Sequence, residues 1–392
     1  MNTGSDAAQA VYLDYNATAP MRPEAVRATY DALQAVGNAS SVHDHGREAA
    51  RRVDHARQQV ADLLNCSRGE LIFTSGATEA NNLALQAAYA DRGMIITSAV
   101  EHPAVLETAR AVTAGGPDSL MILPVDREGK IDHEAFRAAV AGRDVALVSI
   151  MLANNETGVV TDLAPLIEMA HSVGALVHTD ATQYVGRLPV DLGDLDVDLL
   201  SLSAHKFGGP QGVGALFIRR GVPLAQRPLV FGGGHERGWR AGTLNVPGIT
   251  GLGAAAEAAH RHLDEEATRI TKLREVLEGE LLAQVPGSYI NSAASPRLPG
   301  VTSITFPGAP ADAVLASMPD VAASDGSACS AGAPSPSHVL LAMGLSREDA
   351  DSTIRLSLGY ATTEREIRRA VDAAVRAVNH VCAVMRAADN PT

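Results

Sequence analysis

The sequence has 392 residues, 46% of them hydrophobic and 20% charged, with a formal net charge of -13. That length allows two or three domains around a large core, and the acidic balance excludes the basic footprint of a nucleic-acid binder or a basic membrane patch. The three cysteines include no Cys-x-x-Cys pair, which excludes a disulfide framework and a self-contained zinc or cluster site.

Met1 to Ala10 is small and polar, without the basic-then-apolar layout of a secretory signal. No apolar run approaches the roughly 18 residues of a transmembrane helix, so a soluble, cytoplasmic protein is expected. Val11 to Pro20 reads as a short strand entering a turn. Helical patterns cover Arg22 to Val36 and Gly46 to Leu64, and the loop between them holds His43 and His45. That pair lacks a third clustered ligand, so the loop is read as polar and no metal is expected.

From Leu71 the periodicity alternates. Strands are expected at Leu71–Thr74, Met94–Thr97, Leu120–Leu123, Val145–Leu152 and Ala175–Thr179. Helices are expected from Ala77, from Pro103, near Asp132–Val140 and at Leu163–Ser172. Val197–Leu202 and Val213–Ile218, joined by a Gly/Pro turn, read as paired strands. This predicts an α/β fold with a mainly parallel sheet covered on both faces, with ligands gathering beyond the strands' carboxyl ends. A glycine-rich loop, Gly232–Thr243, precedes a long helix from about Asn245 to Gln284. Strand Thr302–Phe306, helix Ala311–Ser317, a small-residue loop, helix Ser337–Met343, strand Thr353–Leu358 and a terminal helix then predict a smaller α+β domain. The division is placed at 15–255 for the large domain and 256–392, with 1–14, for the small one.

Lys206 ends the Val197–Leu202 strand, in Ser203-Ala-His-Lys206. It is one of three lysines; Lys130 sits in a polar turn and Lys272 on the polar side of a helix. A lysine in a partly dry pocket loses basicity and can form a Schiff base, although a strand-end lysine can also be ordinary. Thr74-Ser-Gly-Ala-Thr-Glu-Ala-Asn81 joins a strand to a helix and leaves backbone N–H groups open to a phosphate; on its own it can equally be a cap. Asp180 ends another strand, where it can pair with a protonated ring nitrogen or cap a loop, and Gln183 follows with an amide for a ring substituent. Together on one sheet edge these features fit pyridoxal 5'-phosphate.

The chain resembles the cysteine desulfurases, in their NifS/IscS-like branch of the class-V aminotransferase superfamily, which are fold-type-I pyridoxal-phosphate enzymes. The motifs that carry the likeness are Tyr12–Pro20, Phe73–Glu79, Glu101-His-Pro103, Asn154-Asn-Glu-Thr-Gly158, His178–Gln183, Ser203–Lys206, Gly232–Thr243, Gly326-Ser-Ala-Cys329 and Ile354–Gly359. The resemblance implies conversion of L-cysteine to L-alanine, with sulfur left as an enzyme persulfide and passed to acceptors such as an iron–sulfur scaffold protein. It implies that Lys206 holds the cofactor and moves the substrate's Cα proton, and that His102 stacks on the ring and assists proton transfer. It further implies Asp180 on the pyridinium, Gln183 on the ring oxygen, and Ala77, Thr78, Ser203 and His205 on the phosphate. Asn155 would lie near cofactor and substrate, and Arg355 would clamp the substrate carboxylate. A homodimer is implied in which Thr243 reaches the neighbouring subunit's cofactor.

Cys329 stands in a loop of small residues, Ser324 to Pro336, with little to bury. A mobile thiol there can attack a bound substrate's sulfur and then swing to an acceptor. Cys66 and Cys382 read as structural. Asp325, Tyr184 and Gln211 stand where relatives commonly carry a small residue, serine and lysine. The alternatives are another pyridoxal-phosphate enzyme (a selenocysteine lyase, a cysteine sulfinate lyase or an aminotransferase) or a non-catalytic scaffold on the same fold.

Overall fold

The computed structural model describes residues 10–89, 93–116, 118–325 and 336–389. After β1 (Val11–Tyr12), α1 (Pro23–Gln34) and α2 (Asp44–Leu64) lead into β2 (Leu71–Thr74). Pro23 starts α1 because proline's fixed φ suits a first helical turn, where an N–H would have no partner. His43 caps α2, its Nδ1 accepting from the Gly46 amide at 3.3 Å. The alternation follows as α3 (Ala77–Ala88), β3 (Met94–Ser98), α4 (Pro103–Val112), β4 (Leu120–Leu123), α5 (His133–Val140), β5 (Val145–Ser149), α6 (Ala164–Ser172), β6 (Leu176–Asp180), β7 (Leu199–Ser203) and β8 (Gly214–Ile218).

These strands form a seven-stranded sheet in the order β2-β8-β7-β6-β5-β3-β4. Only β8 runs antiparallel to its neighbours, so the fold is α/β with a mainly parallel sheet, as its apolar runs imply. One face packs α2 and the start of α7 (Val246–Gln284) through Val53, Val60, Leu64, Ile249, Leu252 and Ala256. The other packs α3 and α4 through Leu83, Leu85 and Val105 against Ile95, Leu147 and Leu199. The predicted strand 145–152 stops at Ser149. Ile150 to Ala153 remain buried beyond it: the Ile150 and Leu152 amides still donate to His178 O and Asp180 O of β6, while Met151 and Ala153 line the site.

The expected division at residue 255 falls inside α7, a single 39-residue helix. Its second half, with Ile270, Leu273, Leu277 and Leu281, belongs to a separate core. That core backs a three-stranded antiparallel sheet, β12-β10-β9, formed by β9 (Tyr289–Ile290), β10 (Val301–Thr305) and β12 (Thr353–Ser357). Helices α8 (Ala311–Ala316) and α11 (Glu364–Asp389) flank it, β11 (Val321–Ala322) pairs in parallel with β1, and the short helices α9 (His338–Ala342) and α10 (Arg347–Asp351) precede β12. The β1–β11 pairing and β9 are absent from the sequence expectation; segments of two residues carry no readable periodicity.

Candidate active site

β2, β3, β5, β6 and β7 all end on one edge of the large sheet, and there a cavity of about 390 Å³ opens. Parallel strands place every following loop on that edge, which is where a doubly wound sheet holds its ligands.

After β2 the chain turns at Gly76, φ 153° and ψ 179°, a conformation that side chains disfavour. Opposite, a Cβ on Gly214 would fall 2.4 Å from Leu202 O and 2.8 Å from Gly76 Cα, so neither backbone could approach with a larger residue. Helix α3 starts there without a side-chain cap, and Gly76, Ala77 and Thr78 line the cavity beside Ser203 and His205. The first-turn N–H groups and the positive end of the helix dipole suit an anion. Glu79 is engaged nearby. Burial disfavours its charge, yet Ser75 and Arg240 outweigh burial and hold its carboxyl below the usual range. His205 donates to or accepts from Thr18 Oγ1 at 3.2 Å, and burial first, then the charges of Lys206 and Arg187, push it down to about 4. Its ring is neutral at physiological pH.

Lys206 follows β7 in a single 3-10 turn, and its Nζ donates to Asn16 O at 2.6 Å and to Ala17 O at 2.9 Å. Asp180, at the end of β6, accepts from Asn81 Nδ2 at 2.7 Å and from the Thr182 amide at 3.0 Å. Both residues line the cavity, with His102, Asn155 and Gln183. His102 caps α4: its Nδ1 accepts from the Ala104 amide at 3.0 Å. Burial lowers its basicity, the charges of Lys206 and His338 add to that, and Asp180 opposes. With Nδ1 accepting, the neutral ring carries its proton on Nε2.

Three buried atoms of cavity residues, Asn81 Oδ1, Thr182 Oγ1 and Gln183 Oε1, have no hydrogen-bond partner among the described residues. Such atoms are costly unless a polar ligand or water meets them. An anion cradle at α3, an amine, a carboxylate deep in the wall and unpartnered polar atoms between them together fit pyridoxal phosphate.

Arg355 is buried on β12 but does not form the cavity wall. Its Nη1 donates to Asn155 O at 3.1 Å and its Nη2 to Asp14 Oδ1 at 2.7 Å, while Nε has no partner among the described residues. It lies one residue behind the cavity, with Asn155 between. Thr243 is exposed and outside the cavity lining. Arg240, in the same loop, pairs with Glu79 of its own chain at 3.0 Å. That loop is pinned to the large sheet by Glu236, which accepts from Arg57 at 2.6 and 2.9 Å and from the Phe73 amide at 2.8 Å. Cys329 lies outside the described residues.

Sequence reasoning assigned no role to several residues that the fold brings to this site. Asn16 and Glu156 sit inside quoted motifs, but only the three-dimensional contacts single them out. Glu101, beside His102, is fully buried; its Oε1 accepts from Ser98 Oγ and the Met151 amide, and burial pushes its carboxyl up to about 8. Glu156 is pushed up to about 7, again by burial, and accepts from Ser337.

Residues 11–370 match the family described as aminotransferase class-V. The chain is 44% identical over 370 residues to a cysteine desulfurase of Gluconacetobacter diazotrophicus, covering 93% of this chain and 92% of that protein. It is 41% identical over 367 residues to the cysteine desulfurase IscS of Anaeromyxobacter dehalogenans, covering 92% and 90%. The X-ray structure of a NifS-like protein from Rickettsia africae superposes with a TM-score of 0.86 at 32% identity, over 95% of this chain and all of that one.

Proposed function

The chain belongs to the class-V aminotransferases, and from that membership we propose that it is a pyridoxal-phosphate-dependent cysteine desulfurase, releasing L-alanine from L-cysteine and retaining the sulfur as a persulfide. The observation that carries this reading is the convergence of Lys206, Asp180 and the Gly76–Thr78 cradle on one cavity whose wall leaves Asn81, Thr182 and Gln183 atoms unpartnered.

Pyridoxal phosphate, when bound, supplies an electron sink that acidifies the Cα proton and labilises the β-substituent of an amino acid joined to it. Lys206 holds the group through its amine and moves the Cα proton. Asp180 would pair with the ring nitrogen, with Asn81 and the Thr182 amide keeping the carboxylate in place. Gln183 serves the ring oxygen, and Ala77, Thr78, Ser203 and His205 hold the phosphate. His102 presents Nε2–H to the cavity as a proton donor. Asn155 and Arg355 take the substrate carboxylate. The Cys329 thiolate attacks the substrate sulfur: an S–S bond forms, the C–S bond breaks, its electron pair stays with the substrate carbon, and that carbon is then protonated to alanine.

The protein acceptor in this reading belongs to iron–sulfur cluster assembly, which the likeness to a protein named IscS supports. Among the described residues no helix is long and apolar enough to cross a membrane, and we place the enzyme in the cytoplasm. The test is whether the purified protein is yellow and releases alanine from L-cysteine, with sulfide when a reductant is present. Release from selenocysteine or cysteine sulfinate alone would favour a lyase, and transamination without sulfide would overturn the desulfurase.

Arg355→Lys is expected to raise KM for cysteine about tenfold while leaving the cofactor's absorbance unchanged, because lysine keeps the charge but cannot reach Asn155 O and Asp14 together and still offer a fork. An unchanged KM would remove Arg355 from substrate binding.

The enzyme acts as a homodimer in this reading. Val26, Tyr30 and Leu33 stand exposed on one face of α1, an apolar stripe suited to a second copy. Thr243, exposed and outside its own cavity, then serves the partner's phosphate. Mixing Lys206→Ala with Thr243→Ala protein places both defects in one site of each hybrid dimer and leaves the other site intact. Activity is expected to rise above the sum of the parents. Verified hybrids without that gain would assign the loop to its own chain.

A further inference from the structure

Arg187 follows β6 and reaches toward the backbone that carries Lys206. Its Nη2 donates to Lys206 O and to Tyr15 O, each at 3.1 Å, and its Nη1 donates to Asn16 Oδ1. All three acceptors are neutral, and Arg187 makes no ion pair among the described residues. With Lys206 it borders a second cavity of about 40 Å³. Asn16 joins Arg187 to the Lys206 amine: its side-chain oxygen holds Arg187, while its backbone oxygen accepts from Lys206 Nζ and from Gln183 Nε2 at 3.0 Å. The Asn16 side-chain Nδ2 donates to Asn155 O at 2.8 Å, the carbonyl that also receives Arg355. Asn16 itself is 1% exposed.

An arginine with no ion pair among the described residues, held by the same asparagine as a lysine amine, has one clear electrostatic consequence. The like charge disfavours the ammonium form, and the effect is large where water is scarce. We propose that Arg187 is a positioning residue for Lys206, fixed by Asn16, whose uncompensated charge keeps the amine neutral and ready to react. Arg187 is itself pushed down to about 10, by burial and then by Arg355, and it remains charged at physiological pH.

The other groups around Lys206 do not cancel this influence. His205 and His102 are neutral, and Tyr15, pushed up to about 12 by burial, is neutral too. Asp180 acts in the opposite sense but is engaged by Asn81 and the Thr182 amide. Of the other carboxyl groups, Glu79 pairs with Arg240, Glu266 with Arg22 and Asp14 with Arg355, while burial pushes Glu101 up to about 8 and Glu156 up to about 7.

This inference rests on Lys206 as the cofactor-bearing residue. The test titrates the holoenzyme, following the visible band whose wavelength reports protonation of the nitrogen that joins cofactor to Lys206. In Arg187→Gln the midpoint is expected to move up by about one pH unit. Asn16→Asp keeps the arginine but pairs its charge in place, and should move the midpoint in the same direction. Arg187→Lys retains a cation and should leave it near the wild-type position. Acylation of Lys206 in the full-length chain stripped of cofactor, read by peptide mass with Lys130 and Lys272 as internal references, should show the same ordering. A purely structural role would lower cofactor occupancy without moving either midpoint. Wild-type midpoints in both Arg187→Gln and Asn16→Asp overturn the proposal, and if Arg187→Gln does not fold, Asn16→Asp decides alone. A wild-type protein without a visible band would instead overturn the cofactor reading.

Discussion

Cys329→Ser protein is expected to bind its cofactor and cysteine normally, yet to lose sulfur release by about 10³-fold or more. The division of labour explains both halves. The cavity activates the amino acid's carbon skeleton, whereas removal of sulfur requires a thiolate that can form an S–S bond. An unperturbed thiol is a few per cent thiolate at pH 7, and a serine hydroxyl is far less ionised. Neither other cysteine can substitute. Burial pushes the Cys66 thiol up to about 12, and Cys382 packs on α11 against the second core. Alanine and sulfide are measured together, with persulfide trapped by alkylation and located by peptide mass. Normal output of both products from the serine variant would refute a protein persulfide.

Lys206→Ala should abolish turnover and covalent retention of the cofactor together, again by about 10³-fold or more in rate. Lys130 and Lys272 are exposed and line neither cavity near the site, so neither can replace the lost amine. Borohydride reduction of the wild type followed by peptide mapping should mark Lys206. A mark on Lys130 or Lys272 would sink the assignment. Non-covalent binding of the cofactor by the alanine variant is compatible with it, since the phosphate cradle and Asp180 remain.

Lys206, Asp180 and the Gly76 turn were legible in the sequence for one shared reason. Each lies at the end of an apolar run, and a parallel sheet sends all such ends to one edge. Local pattern was therefore enough to place them together. It was not enough for Arg355. Its partners Asp14 and Asn155 lie 341 and 200 residues away, and no periodicity announces that Asp14 occupies one arm of its guanidinium. Asn16 was hidden in the same way: it makes its contacts through backbone oxygen, side-chain oxygen and amide nitrogen, with four separate segments. The expected strand 145–152 outruns β5, which ends at Ser149. Yet the Ile150 and Leu152 amides still donate to His178 O and Asp180 O, so the apolar run marked bonding to β6 as well as burial.

The pairing of β1 with β11 bears on when this protein becomes an enzyme. Residues 11–16 leave the ribosome first, but their partners leave it late. Val11 and Tyr12 pair with Val321 and Ala322, Asp14 meets Arg355, and the Asn16 amide donates to Ser357 Oγ. Chain growth runs from the amino terminus, and early segments fold as they emerge. The seven-stranded sheet can thus be complete when residue 218 has been made, while the segment that supplies two acceptors for the Lys206 amine still lacks its outer clamp. Fixing that segment awaits residues 321–357, and with them the slow closure of a very long loop. A nascent chain can therefore form its sheet before residues 321–357 arrive to clamp the segment that meets Lys206.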